Sequence, residues 1–120
     1  LKVESEVVIP MVFTNYMQIN NNGIYQPHPI LVVGISQSGT SVSTVEAMRK
    51  AKSAGYSTVA QTEALSGLII REVDAVVPLT CGKKEIPIAP RGYIITLLTS
   101  YLWAVEIARA LGQLEKSQSE

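Results

Sequence analysis

Four hydroxyl side chains and two glycines stand together directly after an apolar run. They form the segment GISQSGTS, residues 34–41, which follows ILVV at residues 30–33. Hydroxyls and the free backbone N–H groups of a helix N-terminus bind anions such as phosphate, and glycine lets a ligand approach the backbone closely. The same residues are typical of an ordinary helix N-cap, with Thr40 or Ser41 as the capping residue. The segment alone therefore leaves an anion site and a capped turn open.

Three better-known motifs do not fit this segment. It lacks the Gly-Lys-Ser/Thr ending of the nucleotide-binding P-loop and the three-glycine pattern of dinucleotide-binding folds. The stretch GISQS nearly matches the nucleophile elbow of hydrolases, but Ser38 replaces its last glycine, and the only histidine, His28, precedes the serine. With one histidine and one cysteine, Cys81, the sequence predicts no metal site and no cofactor.

The elements that must position the segment alternate between strands and helices. Hydrophobic periodicity predicts strands at residues 6–13, 30–35, 56–61 and 74–80, and helices at residues 42–54, 63–73 and 92–111. Within the first of these strands, Pro10 favours either a strand end or the first turn of a helix. Such alternation is typical of an α/β fold with a parallel sheet, in which ligands bind beyond the carboxyl ends of the strands. The hydroxyl-rich segment lies at such an end. Thr62 follows the next strand there, either as a ligand contact or as a helix N-cap.

Composition narrows the class of protein. The chain has 120 residues, enough for one domain, and Lys+Arg and Asp+Glu are both 10, which argues against nucleic acid as the main partner. No apolar run is long enough for a transmembrane helix, so no membrane partner is expected, and no signal peptide is visible. The single Cys81 forms no disulfide within the chain and fits a reducing cytoplasm. Because the first residue is Leu1 and not Met, we expect a fragment.

Two stretches carry a family resemblance. The stretch GISQSGTSVSTVEAMRKAKSAGYSTVA and the later CGKKEIPIAPRGYIITLLTSYLWAVEIAR resemble, in order and spacing, the sugar isomerase (SIS) domain of tandem-SIS phosphosugar enzymes. The family includes the isomerase half of glucosamine-fructose-6-phosphate aminotransferase. The resemblance covers about residues 30–112. It implies a single, partial SIS domain at residues 1–112, followed by a polar tail or linker at residues 113–120.

The resemblance implies a fold and a site. The fold is a flavodoxin-like three-layer α/β/α sandwich with a parallel sheet, lacking its first strand and helix. The residues expected to hold a sugar phosphate are Ser36, Gln37, Ser38, Gly39, Thr40 and Ser41. Lys84 and Arg91 are expected to steer the anionic sugar, and Glu85 is a candidate base.

The chain also departs from the family pattern. Thr40 stands where the family commonly has Glu, Pro87 replaces a Gly, and Arg91 replaces a Lys. The first strand and helix of the family have no counterpart before Leu1, and in tandem enzymes the acid–base residues lie mostly in a second SIS module. The predicted helix 92–111 is mostly apolar, so we expect it to contact that second module or another copy of the chain.

Three functions remain open at this point. The first is the N-terminal SIS module of a tandem sugar-phosphate isomerase, deglycase or aminotransferase-type enzyme, inactive as this fragment alone. The second is a non-catalytic module that senses sugar phosphates in a regulator. The third is a structural α/β unit whose loop binds nothing. A second SIS module beside the chain favours the enzyme, and a helix-turn-helix favours the regulator.

Overall fold

The computed structural model describes residues 5–16, 30–80 and 90–113. Its helices are α1 (Pro10–Tyr16), α2 (Val42–Ser53) and α3 (Pro90–Ala110), and its strands are β1 (Leu31–Ile35), β2 (Ser57–Thr62) and β3 (Ala75–Pro78). A 3₁₀ turn, Leu68–Arg71, precedes β3. The chain divides into two compact units, one of Val8–Leu79 and one of Leu1–Val7 with Thr80–Glu120.

The sheet is parallel. Its order is β1-β2-β3, with Leu31 opposite Ser57 and Val59 opposite Ala75 at the start of the two pairings. Because both connections return the chain to the same end of the sheet, the carboxyl ends of the strands lie side by side. The predicted α/β class with a parallel sheet is confirmed.

The core of the first unit lies between α2 and one face of the sheet. Its buried residues are Val45, Met48, Ala60, Ile69 and Val73. Apolar residues at helical spacing on α2 meet alternate residues of the strands, as amphipathic elements require. The packing fixes α2 with its N-terminus at the carboxyl edge of the sheet.

Two predicted elements are wrong. Residues 6–13 were predicted as a strand, yet Pro10 begins a helix and the Phe13 N–H bonds to the Ile9 carbonyl at 3.0 Å. Proline favours the first helical position, because its fixed φ suits a helix and its missing N–H is not needed there. Residues 63–73 were predicted as a helix, but only Leu68–Arg71 forms a 3₁₀ turn. Gly67 is extended there, at φ −67° and ψ 158°.

The start of β2 is tied to the start of β3 by Asp74. Its carboxylate accepts hydrogen bonds from the N–H and the hydroxyl of Thr58, both at 2.9 Å, and lies 3.2 Å from Lys52 Nζ. The N–H of Thr58, then its hydroxyl and Lys52, lower the pKa of Asp74. Arg49 lies 2.8 Å from Glu72 and lowers the pKa of that carboxyl through their hydrogen bond. Both contacts stabilise the part of the unit that lies away from residues 36–41.

Candidate functional site

Two loops meet at the carboxyl edge of the sheet. The first loop, residues 36–41, connects β1 to α2, and the second loop, residues 63–67, follows β2. Parallel α/β proteins bind ligands at this edge. The site is therefore built from the first loop, the start of α2 and the second loop.

A tight turn shapes the first loop. The Gly39 N–H donates to the Ser36 carbonyl at 3.2 Å, and Gly39 has φ +65°, a conformation that side chains disfavour. A Cβ added at Gly39 would lie 3.0 Å from Thr62 Oγ1 and 3.2 Å from Gly67 Cα. Glycine is thus required here by both the backbone conformation and the space.

The second loop and the 3₁₀ turn form hydrogen bonds with the backbone of the first loop. The Ile69 N–H donates to the Gly39 carbonyl at 3.0 Å, and the Glu63 N–H donates to the Gln37 carbonyl at 3.2 Å. A Cβ added at Gly67 would lie 2.8 Å from Gly39 Cα. The two backbones are in direct contact, which leaves no room for a side chain at Gly67.

The hydroxyl group of Ser38 is arranged as a donor. Ser38 Oγ accepts from the N–H of Thr40 at 3.3 Å and from its hydroxyl at 3.0 Å. A serine oxygen has two lone pairs, and both are occupied in this arrangement. The exposed Ser38 hydroxyl is therefore left to donate its proton outward. That suits a ligand that only accepts hydrogen bonds, as a phosphate dianion does.

The N-terminus of α2 is not capped by a side chain. Ser41 occupies the N-cap position without a side-chain cap hydrogen bond, and its Oγ instead accepts from the Thr44 hydroxyl at 3.3 Å. The first amides of a helix carry partial positive charge when left unpaired. The first turn holds no acidic residue that would repel an anion.

Carbonyl groups of the first loop are turned inward. Those of Ser36, Gln37, Gly39 and Ser41 accept hydrogen bonds from protein N–H groups. Because these four carbonyl oxygens are already bound and Ser38 is left with a hydrogen to donate, the loop is better suited to an anion than to a cation.

Comparison with known proteins decides the family. The chain is 31% identical over 90 residues to the glutamine–fructose-6-phosphate aminotransferase of Clostridium tetani, and 33% identical over 91 residues to that of Thermus thermophilus. These matches cover 75% and 74% of the chain but only 15% of each relative. No protein-family model matches the chain.

Solved structures agree with the sequence matches. A protein from Clostridium difficile assigned as a phosphosugar isomerase superposes with a TM-score of 0.70 at 32% identity, over 73% of this chain and 25% of that one. This chain belongs to the SIS domain family. A protein from Salmonella typhimurium assigned as a sugar binding protein superposes with a TM-score of 0.63 at 32% identity, over 77% and 26% of the two chains. The C-terminal domain of the Francisella tularensis aminotransferase shares the fold, at a TM-score of 0.68 and 23% identity, over 78% and 28%.

The SIS domain brings the predicted loop residues together at one edge. Ser38, Thr40 and Ser41 are exposed, whereas Ser36 and Gly39 are buried. Of the other predicted site residues, Lys84 and Glu85 lie outside the described residues, and Arg91 lies in α3. Among the residues that the structure describes, no group of three or more His, Cys, Asp or Glu is placed to hold a metal ion. Nor does any helix in those ranges have the length and apolar character to cross a membrane.

Sequence analysis of the SIS domain missed two residues of the site, Glu63 and Gly67. Gln37 Nε2 donates to Glu63 Oε2 at 3.1 Å, and Gly67 supports Gly39. The alignment of parallel strand ends could have indicated both, because whatever follows β2 must lie beside the first loop. Thr62, expected as a ligand contact or N-cap, is fully buried and donates to the Gln37 carbonyl at 3.4 Å.

Proposed function

We propose that this SIS domain binds a sugar phosphate and that the first loop, Ser36–Ser41, holds the phosphate group. The relatives support the substrate class, because one is named for fructose 6-phosphate and another is assigned as a phosphosugar isomerase. The hydrogen-bonding groups of the first loop support its assignment as the place where the phosphate binds.

One observation carries the proposal. Both lone pairs of Ser38 Oγ are occupied by Thr40, beside an α2 N-terminus that no side chain caps. The loop therefore offers hydrogen-bond donors and partial positive charge at one place. A phosphate supplies the matching acceptor oxygens and negative charge.

The proposed reaction would be carried out by the intact enzyme and not by this domain alone. This domain would be the N-terminal half of a tandem-SIS isomerase, deglycase or aminotransferase-type enzyme, in which aldose and ketose interconvert by proton transfer next to a carbonyl. The loop would anchor the phosphate remote from the reacting carbon and orient the sugar. Glu85 stays a candidate base, and Lys84 and Arg91 stay candidates for steering the anion. A cytoplasmic location is part of the proposal, supported by the single Cys81.

Calorimetric titration of the intact protein with fructose 6-phosphate and glucosamine 6-phosphate tests this proposal. Wild type is expected to bind, and Ser36→Ala/Ser38→Ala to bind about tenfold or more weakly, because hydrogen bonds to charged groups contribute about 1.5–3 kcal/mol each. Ser38→Ala alone, at an exposed position, is expected to lose part of the affinity without loss of folding.

The matched control is Ser53→Ala/Ser57→Ala, which removes two exposed serines from the opposite end of α2 and the start of β2. It should bind as wild type does. If a folded wild type binds neither sugar, the phosphosugar proposal is rejected and residues 36–41 are a structural turn.

A regulator is the second candidate. The Salmonella relative, assigned as a sugar binding protein, favours binding without turnover. The two functions differ in one measurement on the intact protein: a sensor binds the sugar phosphate and returns it unchanged, whereas an enzyme converts it. Product analysis after prolonged incubation separates them.

We further propose that α3 contacts a second SIS module or another copy of the chain. Exposed apolar residues follow helical spacing on it: Tyr93, Ile94, Leu97, Leu98, Tyr101 and Leu102. A covered apolar face would account for this pattern. Gel filtration of the intact protein is expected to show an oligomer, unless a second SIS module within the same chain packs against α3. A monomer without a second module and without dye-accessible apolar surface would contradict this.

A further inference from the structure

Gln37 of the first loop is held through both its backbone and its side chain. Its carbonyl accepts from the Glu63 N–H at 3.2 Å and from Thr62 Oγ1 at 3.4 Å. Its side-chain Nε2 donates to Glu63 Oε2 at 3.1 Å. Thr62 at the end of β2 and Glu63 directly after it thus fix both the backbone and the side chain of one residue in the candidate phosphate loop.

The chemistry of Glu63 sets the orientation of the Gln37 amide. An ionised carboxylate only accepts hydrogen bonds, so it binds the amide nitrogen and not the amide oxygen. The nitrogen carries two N–H groups, and one of them is bound by Glu63. The second N–H is left on a side chain whose position is already fixed, which lowers the entropy lost on binding a ligand.

We infer that Glu63 is a positioning residue of the phosphate site, acting through Gln37. This inference rests on the proposed function. Glu63 itself is unfavourable to an anion, because its carboxylate adds negative charge beside the loop. Its effect on binding is therefore the sum of a favourable hold on Gln37 and an unfavourable repulsion of the phosphate. Substitutions that remove only one of these two effects distinguish them.

Two variants of the intact protein test the inference by titration with fructose 6-phosphate and with inorganic phosphate. Glu63→Gln keeps an oxygen that accepts from Gln37 and removes the charge, so it should bind at least as tightly as wild type. Glu63→Ala removes the acceptor as well, and should bind about three- to tenfold more weakly than Glu63→Gln does, as expected for one lost hydrogen bond.

Glu46→Gln is the charge control. It removes the same charge from an exposed position on α2, with no hydrogen bond to the first loop among the described residues. If it strengthens binding as much as Glu63→Gln does, the gain is a general effect of charge. The loss in Glu63→Ala would still report the hold on Gln37.

A double-mutant cycle separates positioning from general loss of structure. In a Gln37→Ala background, Glu63→Ala should change affinity little, because the group it positions is gone. Equal losses in both backgrounds would overturn the inference, and so would a Glu63→Ala variant that binds as tightly as Glu63→Gln. Failure of wild type to bind either probe rejects the proposed function and this inference together, whereas equal binding by Glu63→Ala and Glu63→Gln rejects this inference alone.

Discussion

The two loops at the carboxyl edge of the sheet are adjacent and opposite in character. The first exposes the side chains of Ser38, Thr40 and Ser41, whereas the second contributes the buried Gly67 and backbone contacts. Exposed hydroxyls and structural support are therefore divided between two segments far apart in the sequence. The conformation of the candidate binding loop thus depends on residues outside it.

Gly67→Ala is expected to disturb the contact between the two loops more than any other substitution proposed below. The backbone of Gly67, at φ −67°, accepts any residue, but the new Cβ would lie 2.8 Å from Gly39 Cα. The loops must separate, so we expect a loss of about 1–3 kcal/mol in unfolding free energy and a large loss of phosphate binding. Denaturant unfolding and calorimetric titration of the intact protein measure the two effects.

Gly55→Ala is the matched glycine substitution. Gly55 has φ +83° after α2, and an added Cβ would meet nothing within 4 Å. It should lower stability by about 1 kcal/mol through backbone strain alone, and leave binding unchanged. If Gly67→Ala binds as well as Gly55→Ala does, the second loop does not support the first.

A smaller effect on stability is expected from a substitution at the amino ends of the same strands. Asp74→Asn removes the charge that accepts from Thr58 and pairs with Lys52. It should lower stability slightly at neutral pH and leave phosphate binding unchanged, because the site lies at the other edge.

Acid should abolish the stability difference between wild type and Asp74→Asn. The pKa of Asp74 is lowered in the folded chain, so its contribution is present above the ordinary pKa of aspartate and is lost as the pH falls through the lowered value. Thermal unfolding from neutral pH to about pH 3 follows this loss. A difference that stays constant over that range would exclude ionised Asp74 as its source.

Most elements were predictable because their signals are local. The apolar run before Gly34, the helical spacing after Ser41 and the glycine at residue 55 placed β1 and α2 within a residue or two. The two failures have different causes. At Pro10 the residue that could end a strand or start a helix does the latter. Gly67 is a poor helix former that lies extended in contact with Gly39.

The residue types of the candidate site can be read from the sequence, but their arrangement cannot. Hydroxyls and glycine after a strand left an anion site and a capped turn open at residues 36–41, and the anion site stays a prediction. That Thr40 donates to Ser38, or that Glu63 binds Gln37, depends on atomic positions that spacing does not determine. Contacts between strand ends are long-range in sequence, so a single sequence carries little trace of them.

The contact between Gly39 and Gly67 also constrains how this chain can change over generations. A side chain gained at either position would move both loops at once, so neither position can vary alone and selection acts on the pair. Thr40 is exposed and differs in this respect, because a change there removes the hydrogen bond from its hydroxyl to Ser38 and leaves the contact between the two glycines in place.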